Sequence, residues 1–237
     1  MKGLRELNLA DLRSPSQADL IDPLLFQLAR TGVRPKTLKV KGRAEMVVDW
    51  TDLLAEVESL TIDILDPRCN ISTSLRLIHS APVMTRLSFT LRCVEPSRAH
   101  RADIATELHT VAPRLTHLIL RCSRSLRGAA TVGELNGLVD DIADDLVNVE
   151  VLRFVALLAT PRALERIPCS VQELAVKDPS AAFLGAIPTC ILLKWPYLRQ
   201  FEITLYAAPD QRLADFLGPS HAALAVRCCT AMLPHLC

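Results

Sequence analysis

Apolar and polar residues alternate over short runs that recur through the chain, each built on the pattern L-x-x-L-x-L. The best copy is Leu115-x-x-Leu118-x-Leu120. Aligning the other runs on its central leucine gives Leu7, Leu38, Leu60, Leu87, Leu118, Leu152, Leu174 and Phe201. The apolar residue two places on is Leu9, Val40, Ile62, Phe89, Leu120, Phe154, Val176 and Ile203. A period of two is that of a strand buried on one face, so eight strands are expected. Between them the period becomes helical. Asp22 is placed to cap a helix that starts at Pro23, carries Leu24, Leu25 and Leu28, and stops at Gly32. Ile104, Leu108 and Val111 mark a helix after Ser97, with Pro113 at its end. Leu135, Leu138, Val139, Ile142 and Leu146 form a further stripe that closes near Asn148. The gaps 51–57 and 161–167 leave room for one or two turns, and the C-terminal segment 220–237 reads as a capping helix over Ser220 to Leu233, ended by Pro234.

Successive central residues lie 31, 22, 27, 31, 34, 22 and 27 positions apart. A strand-helix unit of that size cannot bury its own apolar stripe, so it must stack on copies of itself with the strands parallel in one sheet. The expected fold is therefore α/β: a single domain over residues 1–237, coiled as a curved solenoid of about eight repeats.

Composition agrees with a packed chain: of 237 residues, 50% are hydrophobic and 22% charged. The net charge of +1 supplies no global field for nucleic acid or an anionic membrane. Met1 to Glu6 lacks the basic and apolar regions of a secretory signal. The longest apolar run, Ala181 to Leu193, is interrupted by Pro188 and is too short to span a bilayer at about 20 residues. An intracellular protein, cytoplasmic or nuclear, with no membrane partner is the expectation. The eight cysteines are dispersed and contain no C-x-x-C pair, so they read as reduced thiols.

With these runs, and with Trp195-Pro196-Tyr197-Leu198-Arg199-Gln200-Phe201-Glu202-Ile203 leading into the last of them, the chain resembles leucine-rich repeat domains. It is most similar to the irregular kind found in fungal F-box and leucine-rich repeat proteins, over nearly its whole length. The resemblance implies a horseshoe with the parallel sheet on the concave side and helices on the convex side. It also implies substrate recognition for a ubiquitin ligase adaptor. Two departures stand out. The positions where regular repeats carry Asn or Cys hold Leu12, Arg43, Leu65, Arg92, Ser123, Leu157, Pro179 and Tyr206. No F-box-like segment precedes the first strand, and the first repeat lacks a polar cap, which is expected of a chain truncated at its N-terminus or of one that self-associates there.

Residues flanking the buried strand positions project to the opposite face. They include Lys39, Lys41, Arg86, His117, Arg121, Arg153 and Lys177, set against Glu6, Asp63, Glu173 and Glu202. A mildly basic centre is expected to dock an acidic or phosphorylated protein segment, with Arg86, Arg121 and Arg153 lined up on adjacent strands. The plainer alternative is a solvated face of mixed charge, and another is a structural solenoid that self-associates. An enzyme reading rests on Asp140-Asp141-Ile142-Ala143-Asp144, which matches the D-D-x-x-D string with which isoprenoid synthases hold magnesium and diphosphate. At about 100° per residue these acids fall opposite the apolar stripe, toward water. The loop Arg121 to Gly128 is basic but has no aromatic residue for base stacking. No G-x-S-x-G, P-loop, G-x-G-x-x-G or zinc spacing is present. No catalytic residue, metal or cofactor is therefore expected.

Overall fold

The central residues of the eight runs stand side by side. Leu7, Leu38, Leu60, Leu87, Leu118, Leu152, Leu174 and Phe201 are successive register partners across one sheet, and Val226 continues the row. The computed structural model describes residues 4–12, 15–42, 47, 50–64, 71–91, 98–122, 137–155, 161–177, 185–186, 194–205 and 225–230. Its strands are β1 (Glu6–Leu12), β2 (Thr37–Gly42), β3 (Ser59–Ile64), β4 (Arg86–Leu91), β5 (His117–Cys122), β6 (Val151–Val155), β7 (Glu173–Lys177), β8 (Gln200–Leu205) and β9 (Ala225–Thr230). They pair in sequence order, every pair parallel, in a single nine-stranded sheet.

The stacking repeats a fixed hydrogen-bond pattern. At each step from β1 to β8, two successive N–H groups at the head of a strand donate to one carbonyl of the strand before. Thr116 and His117 donate to Thr85 O, Glu150 and Val151 to Thr116 O, and Gln172 and Glu173 to Glu150 O. One carbonyl per repeat thus fixes the register of the next. Because the period of the pleat is two, a slip by one residue would turn the leucine row out to water, so the hydrophobic pattern and this rung enforce the same register.

The helices fill the same side of the sheet. They are α1 (Pro15–Arg30), α2 (Thr51–Leu54), α3 (Ile71–His79), α4 (Arg98–Val111), α5 (Leu138–Ile142) and α6 (Pro161–Arg166). Leu25 of α1, Leu75 and Ile78 of α3, Ile104 and Leu108 of α4, Val139 of α5 and Leu164 of α6 join the inward strand residues in one continuous core. Consecutive helices touch one another, α3 with α4, α4 with α5 and α5 with α6, as stacked repeats require. From the third run to the seventh the first residue is buried just ahead of its strand: Val57, Met84, Leu115, Val149 and Val171 are closed to solvent, whereas Leu4 of the first run is exposed and Leu198 of the last only partly buried. The result is a solenoid-like α/β arrangement, and no described helix is long and apolar enough to cross a membrane.

Three expectations about elements need correction. The first helix begins at Pro15, not at Pro23, so Asp22 is no cap and Pro23 lies inside it. A proline there forfeits one backbone bond, but packing of Leu25 and its neighbours onto the sheet continues through it; the helix does stop at Gly32, whose φ of 69° is a left-handed terminus. The third helical stripe forms only five α-helical residues, Leu138–Ile142, followed by a 3-10 turn over Ala143–Asp145; Leu135 lies outside the described residues. Finally, the segment read as a C-terminal capping helix contains β9. Val226 and Cys228 pair with Phe201 and Ile203, so alternation and the open edge of β8 outweigh the helical reading. The positions of the missing Asn or Cys ladder, apart from Leu12 at the end of β1, lie outside the described residues.

Candidate functional site

Every strand in this sheet presents alternate residues away from the helices, and no described element covers that second face. It is arranged in three rows. One row runs Glu6, Thr37, Ser59, Arg86, His117, Val151, Glu173 and Gln200. The next holds Asn8, Lys39, Thr61, Ser88, Ile119, Arg153, Ala175 and Glu202. The third holds Lys41, Asp63, Thr90, Arg121, Val155, Lys177 and Thr204. All seven residues singled out from the sequence occupy this face, although the side chain of Lys177 is outside the described set.

Arg86, Arg121 and Arg153 sit on adjacent strands but in three different rows, so they are staggered and not lined up. With strands about 4.8 Å apart and rows about 6.6 Å apart, the Cα atoms of Arg121 and Arg153 are about 8 Å apart and those of Arg86 and Arg121 about 14 Å. The three guanidinium groups therefore surround Ile119, a half-buried apolar residue at the centre of the face.

Their charges are unequally compensated. Arg153 Nη2 donates to Glu173 Oε2 at 3.2 Å, while its Nε is enclosed and meets no acceptor. Lys39 Nζ donates to Glu6 Oε1 at 2.7 Å. Arg86 and Arg121 are exposed and make no ion pair among the described residues. His117 lies beside Arg86 across the β4–β5 pair, on the strand that also carries Arg121. Burial, followed by the positive charge of Arg86, pushes its imidazole below the ordinary range; Glu150 and Glu173 oppose this, and Arg153 adds to it. The Thr116 hydroxyl lies 2.9 Å from His117 Nδ1 and 3.2 Å from the carbonyl of Thr85, which fixes the ring over the strand. The centre of the face thus combines two uncompensated arginines, a third that is half-compensated, a neutral imidazole and an apolar floor.

On the helical side, the acidic string lies off the core as expected, with Asp144 exposed, but its carboxylates are engaged by basic side chains of other elements. Arg101 grips Asp141 with two bonds, Nε to Oδ2 at 2.6 Å and Nη2 to Oδ1 at 2.7 Å. Arg166 Nε donates to Asp144 Oδ1 at 2.7 Å, and its Nη1 to the carbonyl of Asp140 at 2.7 Å. His109 pairs with Asp145. These acids clasp α5 to α4 and α6, and among the described residues no group of side chains could hold a metal ion. Helical phase places the acids away from the core, and neighbouring repeats supply the bases that pair with them. An open cleft of about 790 Å³ between these helices is lined by Arg101, His109, Asp140, Asp141, Arg162 and Arg166, three arginines against two carboxylates. Sequence reasoning missed this cluster, since its partners lie 22 to 40 residues apart with no local signature. Of the basic loop 121–128, only Arg121 and Cys122 are among the described residues.

No family model and no curated protein matches the chain.

Proposed function

We propose that this chain is a non-enzymatic protein-interaction module that docks a partner on its open sheet face, around Arg86, His117, Ile119, Arg121 and Arg153. One observation carries the reading: the leucine row and its neighbours pack on the helical side, and among the described residues nothing covers the opposite face, where Arg86 and Arg121 make no ion pair beside the apolar Ile119. The outward residues of the three rows match in number the roughly 20 to 30 residues a side of a standard protein interface. Arginines in this setting favour an acidic or phosphorylated segment, because a guanidinium fork matches carboxylate and phosphate oxygens. The uniform rung and leucine row support an irregular leucine-rich repeat horseshoe with this face concave. The resemblance to F-box and leucine-rich repeat proteins extends the reading to substrate recognition for a ubiquitin ligase adaptor.

The test is affinity purification with the intact chain and with a variant in which Arg86, Arg121 and Arg153 are all changed to Glu. A control variant carries Arg162→Glu on the helical side. Loss of the same partners from the face variant alone is expected. An unchanged partner set would remove this face as the docking site.

A further inference from the structure

We propose that the β1 end of the solenoid is a homodimer interface, in which β1 of a second copy pairs antiparallel with β1 about a two-fold axis through Leu7. The leucine row supplies the first observation. Leu38, Leu60, Leu87 and Leu118 are at most 1% exposed because each has a row neighbour on both sides, whereas Leu7 is only partly buried and among the described residues has the row neighbour Leu38 on one side alone. Whatever occupies this end should place an apolar residue beside Leu7. On a two-fold axis, Leu7 of the second copy does so.

The strand's free edge fits the same occupant. Thr37 N–H donates to the carbonyl of Arg5, so odd-numbered residues of β1 direct their backbone groups to β2. Alternation then turns the N–H and C=O of Glu6 and Asn8 to the open edge. A two-fold axis at Leu7 sets Glu6 opposite Asn8 of the other copy, so the edges exchange four hydrogen bonds and no like charges face each other. Edge strands that remain single are commonly guarded by proline or lysine, and β1 contains neither; its register irregularity begins only after Leu9.

The helix above the edge is prepared in the same sense. Leu25 of α1 points to the core, and Phe26, about 100° further round, packs edge-on against Trp50 at 6.4 Å, on the α2 side. Leu24 therefore lies on the opposite flank, over the β1 edge, 49% exposed, with half-buried Ile21 and Leu28 at helical spacing beside it. A two-fold axis normal to the sheet keeps both helix layers on one side and brings this apolar stripe against its own copy. An isologous contact of this kind closes on itself as a dimer and leaves the open faces of both copies free.

Sedimentation equilibrium of the full chain tests the proposal, with Asn8→Pro and Leu24→Glu as variants. Asn8→Pro removes only an outward N–H, so its circular dichroism melt should match that of the unchanged chain. The expected result is a dimer for the unchanged chain and dissociation constants weakened by about tenfold or more in each variant. A chain that stays monomeric at every concentration, or a dimer that both folded variants leave intact, overturns the proposal. Neither result bears on the docking face, which lies on another surface.

Discussion

His117 shows how one residue ties the open face to the stability of the fold. Its imidazole is held below its ordinary range by burial and by Arg86, so the unfolded chain, with a histidine pKa of about 6.5, binds a proton more readily than the folded one. Stability therefore falls as pH drops through about 6.5 and levels off below the depressed folded value. His117→Gln keeps a polar side chain and removes the titration. Urea midpoints compared at about pH 7.5 and about pH 5 should fall further in the unchanged chain than in the variant. Equal falls in both would mean that the imidazole is not titrating against Arg86 and the strand. The same protonation would add a positive charge between Arg86 and Arg153, so an acidic partner and the folding equilibrium respond to the same proton in opposite senses.

At the scale of elements, α5 depends on a glycine whose role the sequence does not advertise. Gly137 precedes the helix with φ of 86°, and a Cβ there would lie 2.7 Å from Arg101 Nη2, one of the two nitrogens that grip Asp141. Gly137→Ala meets both an unfavourable backbone conformation and a displaced guanidinium, for a loss of about 1 to 2 kcal/mol. If the displaced Arg101 carries part of that loss, Asp141→Asn should make the double variant less destabilised than the sum of the two single changes; strict additivity would assign the whole effect to the backbone. The contrast with the strands explains what could be read in advance. The leucine row was legible because a period of two and a repeated motif are local signals, and all eight central residues fall in register as the alignment placed them. The seven candidate residues fall on the open face for the same reason. Helix limits at Pro23, the ninth strand and the clasp around Asp141 and Asp144 depend instead on which surfaces the neighbouring repeats offer. In particular, Arg101 and Arg166 come to the acids from other repeats, and nothing in the string from Asp140 to Asp144 marks them.

The sheet as a whole is close to one-dimensional: among the described residues each interior strand bonds to two neighbours, while β1 and β9 bond to one. Stability in such an array is carried by repeat-to-repeat interfaces, so opening is expected to be easiest at the ends and hardest in the middle. Helix contacts reinforce this, since α3, α4 and α5 pack in succession over β4 to β6. Amide hydrogen exchange should accordingly be slowest in β4, β5 and β6. Replacing Leu118 with Ala leaves a cavity shared between adjacent repeats and should cost roughly 2 to 5 kcal/mol. Exchange in that variant should accelerate most in β4 to β6, with a smaller change in β1 and β8. Equal acceleration throughout would mean that the sheet opens as one cooperative unit. A gradient would place the stiffest backbone beneath Ile119 and the surrounding arginines, where a docking surface loses least conformational entropy when a partner is bound.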